Sequence, residues 1–330
     1  MHKIGILVNQ GVMATAVTGV IDVLNVANGV YKKRTGANAD AFSWQLIGVD
    51  KKYVESSQGL VFKADVWLEE TSEFDVVIWP GSQYRSDQDL WQLCKSLKPF
   101  HPHIVKLAEN AELVMSGCTA VPLLAHTGLL ADKKITASWW LDSFFQRHIK
   151  GCKLDTSEML RLDGKFLTCG ATSSFLLLTW YLVRHYLGKD IADTVARYLL
   201  IDTEQVKQSA FFALNDLPEH QDAEMRKLEQ WICDHLDSSI DVSTMAYKLN
   251  ISERTLTRRF KKLLGVAPMQ YVQIARIERA CGLLKTTNKT AQQIALGLGY
   301  QDDAAFRKLF IKHKGVGMGE YRRNKEFFEL

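Results

Sequence analysis

The chain has 330 residues, 47% hydrophobic and 24% charged, which suits folded domains with proper cores and excludes long disordered stretches. No run approaches about 18 uninterrupted apolar residues, excluding a membrane-spanning helix, and the opening MHKIGILVNQG is too short in its apolar part for a secretory signal. The net charge of +4 hides an asymmetry: from Ala223 onward 19 Lys and Arg face 12 Asp and Glu, a net +7 against −3 for the first 222 residues, so the phosphate-attracting part is the C-terminal third.

Up to about Ile201, short apolar strands alternate with helices. HKIGILVNQ reads as a buried strand, GVIDVLNVANGVYKK as a helix, WQLIGVD and FDVVIWPG as strands, PHIVKLAENA as a helix and AELVMSG as another strand. KFLTCG then leads into the apolar helix TSSFLLLTWYLVRHYLG. That order predicts an α/β layered domain with a mostly parallel, flavodoxin-like sheet. The segment CTAVPLLAHTGLLADKKITAS starts a helix directly after a strand, which places Cys118 on the connecting turn. Turns at the carboxyl ends of strands line the ligand crevice of open α/β sheets, so Cys118, Thr119, Gly81 and Ser138 form the candidate pocket.

Other features carry less. His126 is an isolated histidine that reads as a surface or packing residue, and Glu69 and Glu70 as a solvated face. Trp139 and Trp140 either line a pocket or fill core or an interface. Cys94, Cys118, Cys152, Cys169, Cys233 and Cys281 lack CxxC or Cys/His ligand spacing, so reduced thiols are expected and a zinc or other metal site is not. Neither GxxxxGK(S/T) nor GxGxxG occurs, and no cofactor is expected.

The stretches FDVVIWPG, GCTAVPLLAHTGLLADKKITASWW, TCGATSS and GKDIADTVARYLLID make residues 2 to about 210 resemble the DJ-1/PfpI branch of the class I glutamine amidotransferase-like fold. That resemblance puts Cys118 in the place of the family's nucleophile or reactive thiol. It also implies an acid after the first strand and a histidine near the thiol. Here Ala16 stands about where the carboxylate belongs, Thr119 follows the cysteine, and Ser138-Trp139 stands where regulators often have His-Trp. A thiolate without base or orienting acid loses most of its activation. Three readings of Cys118 stay open: pocket lining without chemistry, which the missing partners favour; a thiol sensitive to oxidants or electrophiles; and a catalytic nucleophile.

TEQVKQSAFFALNDLPEHQDAEM is polar and carries a proline, and it predicts a linker at 211–223 between a domain at 1–210 and one at 224–325. AEMRKLEQWICDHL opens the second domain with Leu228, Trp231, Ile232 and Leu236 at helical spacing. VSTMAYKLN and ISERTLTRRFKKLLG then read as two helices joined by a turn at Asn250, a helix-turn-helix over about 242–264. Leu249 at the end of the first, and Leu256, Phe260, Leu263 and Leu264 in the second, would be buried. Arg254, Thr257, Arg258, Lys261 and Lys262 would project outward, from a helix capped by Ser252 with Glu253 in its first turn. A solvated helix with a basic face would look the same if it stood alone.

It does not stand alone, because KTAQQIALGLGYQDDAAFRKLFIKHKG repeats the layout over about 290–313. Ala295 answers Ala246, Phe306 answers Leu256, Lys308 answers Arg258, Phe310 answers Phe260 and Gly315 answers Gly265. Between the copies QYVQIARIERACGLLKTT is an amphipathic helix long enough for a rigid spacer. Two recognition helices on such a rod could enter successive major grooves roughly one helical turn apart.

SERTLTRRFKKLLGVAPMQYV, RIERACGLL, IALGLGY and AFRKLFIKHKGV with EYRR behind it make the last hundred or so residues resemble the DNA-binding domain of AraC/XylS-family transcription regulators. Joined to a DJ-1/PfpI-like domain, this is similar to GlxA-type regulators. The resemblance implies a bacterial, cytoplasmic, dimeric regulator that binds double-stranded promoter DNA and works with RNA polymerase. Its N-terminal domain would sense a small-molecule effector or mediate dimerisation. Base contacts are expected from Arg254, Thr257 and Arg258, and phosphate contacts from Lys261, Lys262, Arg307, Lys308 and Lys312, since Ala304 and Ala305 are short and Asp302 and Asp303 acidic. The competing expectation is a cysteine-dependent hydrolase or glyoxalase tethered to DNA, which requires Cys118 to act without visible partners.

Overall fold

The computed structural model describes residues 1–70, 73–156, 158–203, 217 and 220–323. The chain divides into two units, Met1–Gln208 and Ser209–Leu330.

In the first unit the strands are β1 (His2–Val8), β2 (Phe42–Gly48), β3 (Tyr53–Glu55), β4 (Val61–Lys63), β5 (Val66–Trp67), β6 (Val76–Trp79), β7 (Leu113–Gly117), β8 (Lys134–Ile135), β9 (Lys153–Leu154), β10 (Leu160–Asp163) and β11 (Phe166–Cys169). The helices are α1 (Ala14–Thr35), α2 (Asp87–Ser96), α3 (His101–Asn110), α4 (Ala120–His126), α5 (Asp142–His148), α6 (Phe175–Leu187) and α7 (Lys189–Leu199). Among the described residues, the main sheet runs β5-β2-β1-β6-β7-β11-β10, parallel throughout except for β10 against β11. The mostly parallel α/β sheet expected from the apolar runs is present.

Alternation along β1 shows how the layers form. Ile4, Ile6 and Val8 join a core under α1, α6 and α7, whereas Leu7 joins the opposite core under α2 to α5. Both faces are covered, so the central strands read as unbroken apolar runs. The chain leaves β1 outward to β2 and later returns to β6 on the other side of β1, which makes the gap between β1 and β6 the topological switch point. Loops beyond the carboxyl ends of β1, β6 and β7 therefore meet there.

The second unit is helical: α8 (Ala223–Asp234), α9 (Val242–Lys248), α10 (Glu253–Leu264), α11 (Pro268–Thr286), α12 (Ala291–Leu296), α13 (Asp303–Lys314) and α14 (Met318–Arg323). Side-chain caps start five of them: Asp222, Asp241, Ser252, Thr290 and Asp302 each accept from a backbone N–H in the first turn. Thr290 and Gln293 form a reciprocal capping box. Gly265 and Gly315 stop α10 and α13 at φ of 71° and 72°, a conformation that favours glycine. Most of the expected linker lies outside the described residues; its Asp222 is the cap of α8. No helix among the described residues is long and apolar enough to cross a membrane.

Candidate functional site

The two helix-turn-helix copies superimpose bond by bond in their turns. Asn250 N–H donates to Tyr247 O and Ile251 N–H to Ala246 O, and in the second copy Gly299 N–H donates to Leu296 O and Tyr300 N–H to Ala295 O. Ala246 and Ala295 are buried, as a close helix crossing requires. Each second helix then buries one stripe: Leu256, Phe260 and Leu264 in α10, Phe306, Phe310 and His313 in α13.

That stripe decides what the other side offers. Arg254, Arg258, Lys261 and Lys262 are exposed on α10, and Thr257 is half-buried at the flank. Leu249 and Leu263, expected inside, are only half-buried: Leu263 falls at the edge of the stripe centred on Phe260, and Leu249 is the C-cap of α9, before the turn. On α13, Arg307, Lys308 and Lys312 are exposed, but Arg307 is ion-paired one turn back with Asp303, which leaves Lys308 and Lys312 as that helix's freer cations. Ala304, Ala305 and Ile311 share the exposed side, so it is less charged than that of α10.

Arg259, one residue past Arg258, points elsewhere. Its guanidinium donates to both carboxylate oxygens of Asp222 and to Glu224 at 2.8 Å, and the Asp222 carboxyl is held below its usual range, chiefly by those bonds. The start of α8 is thus clamped to the recognition helix.

In the first unit the loops at the switch point are tied by side chains. Asn9 Nδ2 donates to Ser82 Oγ at 3.0 Å, and Trp79 Nε1 donates to Asn9 Oδ1 at 3.0 Å. Thr119 Oγ1 accepts from Ser82 N at 2.7 Å and donates to Ser82 O at 2.6 Å. Cys118 sits at φ 54°, a left-handed turn between β7 and α4, where its N–H donates to Cys169 O at 3.1 Å and its thiol accepts from Ser138 Oγ at 3.2 Å.

Beside it lies a cavity of about 20 Å³, bordered by Ala16, Val20, Gly81, Cys118, Cys169 and Phe175 among others. It has room for about one water. The structure brings Gly81 and Cys118 to this cavity; Thr119 and Ser138 stand behind it, Thr119 with its hydroxyl engaged by the Ser82 backbone. Ala16 belongs to the first turn of α1 and faces the same space, so a methyl group occupies the position expected of an acid. His126 is at the far end of α4, edge-on to Trp91 and His101, as a packing residue. Trp140 packs against Tyr84 with ring centroids 4.4 Å apart, and Glu69 and Glu70 are exposed.

Residues 2–170 match the model of the DJ-1/PfpI family. The chain belongs to the DJ-1/PfpI family. Residues 245–324 match a helix-turn-helix domain, and the combination is that of AraC-type regulators with an N-terminal DJ-1/PfpI domain. Among relatives, the HTH-type transcriptional regulator GbdR of Pseudomonas aeruginosa is 21% identical over 329 residues, 98% of this chain and 85% of that one. The HTH-type transcriptional regulator CdhR of the same species is 21% identical over 318 residues, 92% of this chain and 86% of that one. The HTH-type transcriptional regulator MtrA of Neisseria gonorrhoeae is 31% identical over 103 residues, 31% of this chain and 34% of its own length.

Three residues of this DJ-1/PfpI chain escaped the sequence reading. Cys169 shares the Cys118 cavity, with its thiol pushed well up by complete burial and then by the neighbouring Cys118; the TCG of its strand gave no sign that it would. Phe175 closes the cavity against Gly19, and only a pairing of glycine with an aromatic across 156 positions could have revealed it. Arg259 looked like one more cation in RRFKK, and the acidic DAE at the head of α8 was the available clue.

Proposed function

We propose that the protein regulates transcription by binding promoter DNA through two major-groove helices. The observation that carries this reading is the repeated unit: α10 and α13 each bury an apolar stripe and leave a cationic side exposed, and their two helix-turn-helix motifs are joined by the single helix α11. Arg254, Thr257 and Arg258 read base edges; Lys261, Lys262, Lys308, Lys312 and Arg307 hold phosphates, Arg307 less firmly because of Asp303. The chain acts in the cytoplasm as a homodimer and contacts RNA polymerase when bound at a promoter.

The N-terminal domain, residues 1–210, serves sensing or dimerisation and not catalysis. What supports this is the apolar, single-water cavity at Cys118 with Ala16 in place of a carboxylate. Genome-wide mapping of the bound protein tests the first part: enrichment at promoters sharing a two-part sequence is expected, and random occupancy sinks it. Assay of ester and glyoxal substrates tests the second. Turnover that disappears in Cys118→Ala overturns the non-catalytic reading.

A further inference from the structure

At one equivalent position in the turns of the two helix-turn-helix copies, the first has Asn250 and the second Gly299. Both are left-handed, at φ 52° and 78°, and asparagine tolerates that conformation, so backbone angle does not explain the glycine. Space does. A Cβ on Gly299 would lie 2.9 Å from an Arg276 guanidinium nitrogen, 2.9 Å from Ser238 O and 3.0 Å from Asp237 O.

Arg276 comes from the middle of α11 and is 7% exposed. Its Nε donates to Leu236 O at 3.1 Å, a terminal nitrogen donates to Ser238 O at 2.6 Å, and its central carbon Cζ lies over the Tyr300 ring, 5.1 Å from the centroid. Tyr300 in turn packs against Phe306, a buried anchor of α13. One guanidinium therefore joins three pieces: the α8–α9 connection that leads into the first helix-turn-helix, the spacer, and the turn of the second. A buried cation without a carboxylate is expensive unless its donors are satisfied, and here carbonyls of the α8–α9 connection and an aromatic face of the second motif surround it.

We propose that Arg276 is the positioning residue that sets the separation of the two recognition helices, and with it the spacing between the two DNA elements the protein reads. This rests on the DNA-binding reading above. Two linked reading heads gain affinity from the stiffness of their link, so loosening the junction lowers the gain without altering either head.

The test is selection from random-sequence duplex DNA by the full chain, wild type against Arg276→Lys and Tyr300→Leu. Lysine keeps the charge but lacks the fork that bonds two carbonyls while its centre sits over the ring; leucine leaves Arg276 in place and removes the aromatic face. Wild type is expected to enrich two elements at one separation. Both variants are expected to enrich the first element unchanged, to accept the second at a spread of separations, and to lose about tenfold in affinity for the paired site while binding the first element alone as wild type does. A variant that keeps the single separation and the paired-site affinity overturns the assignment. If Arg276→Lys loses the first element as well, through unfolding, Tyr300→Leu decides: a spread supports the proposal and a fixed separation refutes it. Failure of the wild type to enrich paired elements would instead overturn the DNA-binding reading itself.

Discussion

Arg259 grips Asp222 through two nitrogens, at 2.6 and 2.9 Å, and so joins the recognition helix to the residue that caps α8. Because this bond holds the carboxyl below its usual range, its stabilisation is fully present above the ordinary carboxylate pKa of about 4 and is lost as pH falls through the lower folded value. Asp222→Asn retains a good helix cap and removes the charge. Its unfolding free energy should fall by about 1 kcal/mol at neutral pH and converge with wild type in acid. Parallel pH profiles in urea titrations would show that the ion pair contributes nothing.

Arg258 and Lys308 occupy equivalent places in the repeat but should fail differently when truncated. Arg258→Ala should cost roughly 1–3 kcal/mol of discrimination at one or two base pairs. Lys308→Ala should weaken all sequences alike and reduce the slope of log affinity against log salt by about one. Titrations of specific and random duplexes at several salt concentrations separate the two, and identical behaviour would contradict the division of roles.

Gly19 lies inside α1, where alanine would ordinarily gain about 1 kcal/mol in helix propensity. Here a Cβ would come 2.1 Å from the Phe175 ring. Overpacking of that kind costs about 1–3 kcal/mol, so the clash should outweigh the gain and Gly19→Ala should lower the melting temperature of the first unit. A rise would mean that the ring yields freely.

His101 and His126 meet edge to face with ring centroids 5.1 Å apart, and burial, first of all, pushes both below the ordinary value of 6.5. Unfolding lets them bind protons more readily. The stability they contribute is therefore whole above about pH 6.5 and declines as pH falls from there toward their lower folded values. His126→Gln should flatten that decline in thermal melts monitored by tryptophan fluorescence; an unchanged profile would assign the loss to other groups.

The sequence discloses this architecture unevenly, for physical reasons. Strand segments buried on both faces, such as Ile4 to Val8 or Leu113 to Gly117, announce themselves because all their residues but Ser116 are apolar or glycine. The helix-turn-helix copies do so because Leu256, Phe260, Phe306 and Phe310 recur in register. The two-residue strands β5, β8 and β9 carry no periodicity and are held by their neighbours. The same limit hides Cys169 beside Cys118, which depends on β11 pairing with β7, and the role of Arg276, whose carbonyl partners lie 40 and 38 positions away.

The ring of Phe175 resting on Gly19 closes the compartment at Cys118 to all but the smallest occupant. An effector of ordinary metabolite size that used this compartment would bind only molecules in which the ring has turned aside, and its apparent affinity would be discounted by their fraction. Substitutions that shrink residue 175 should then act as sensitisers, lowering the effector concentration needed for a response without touching the effector itself.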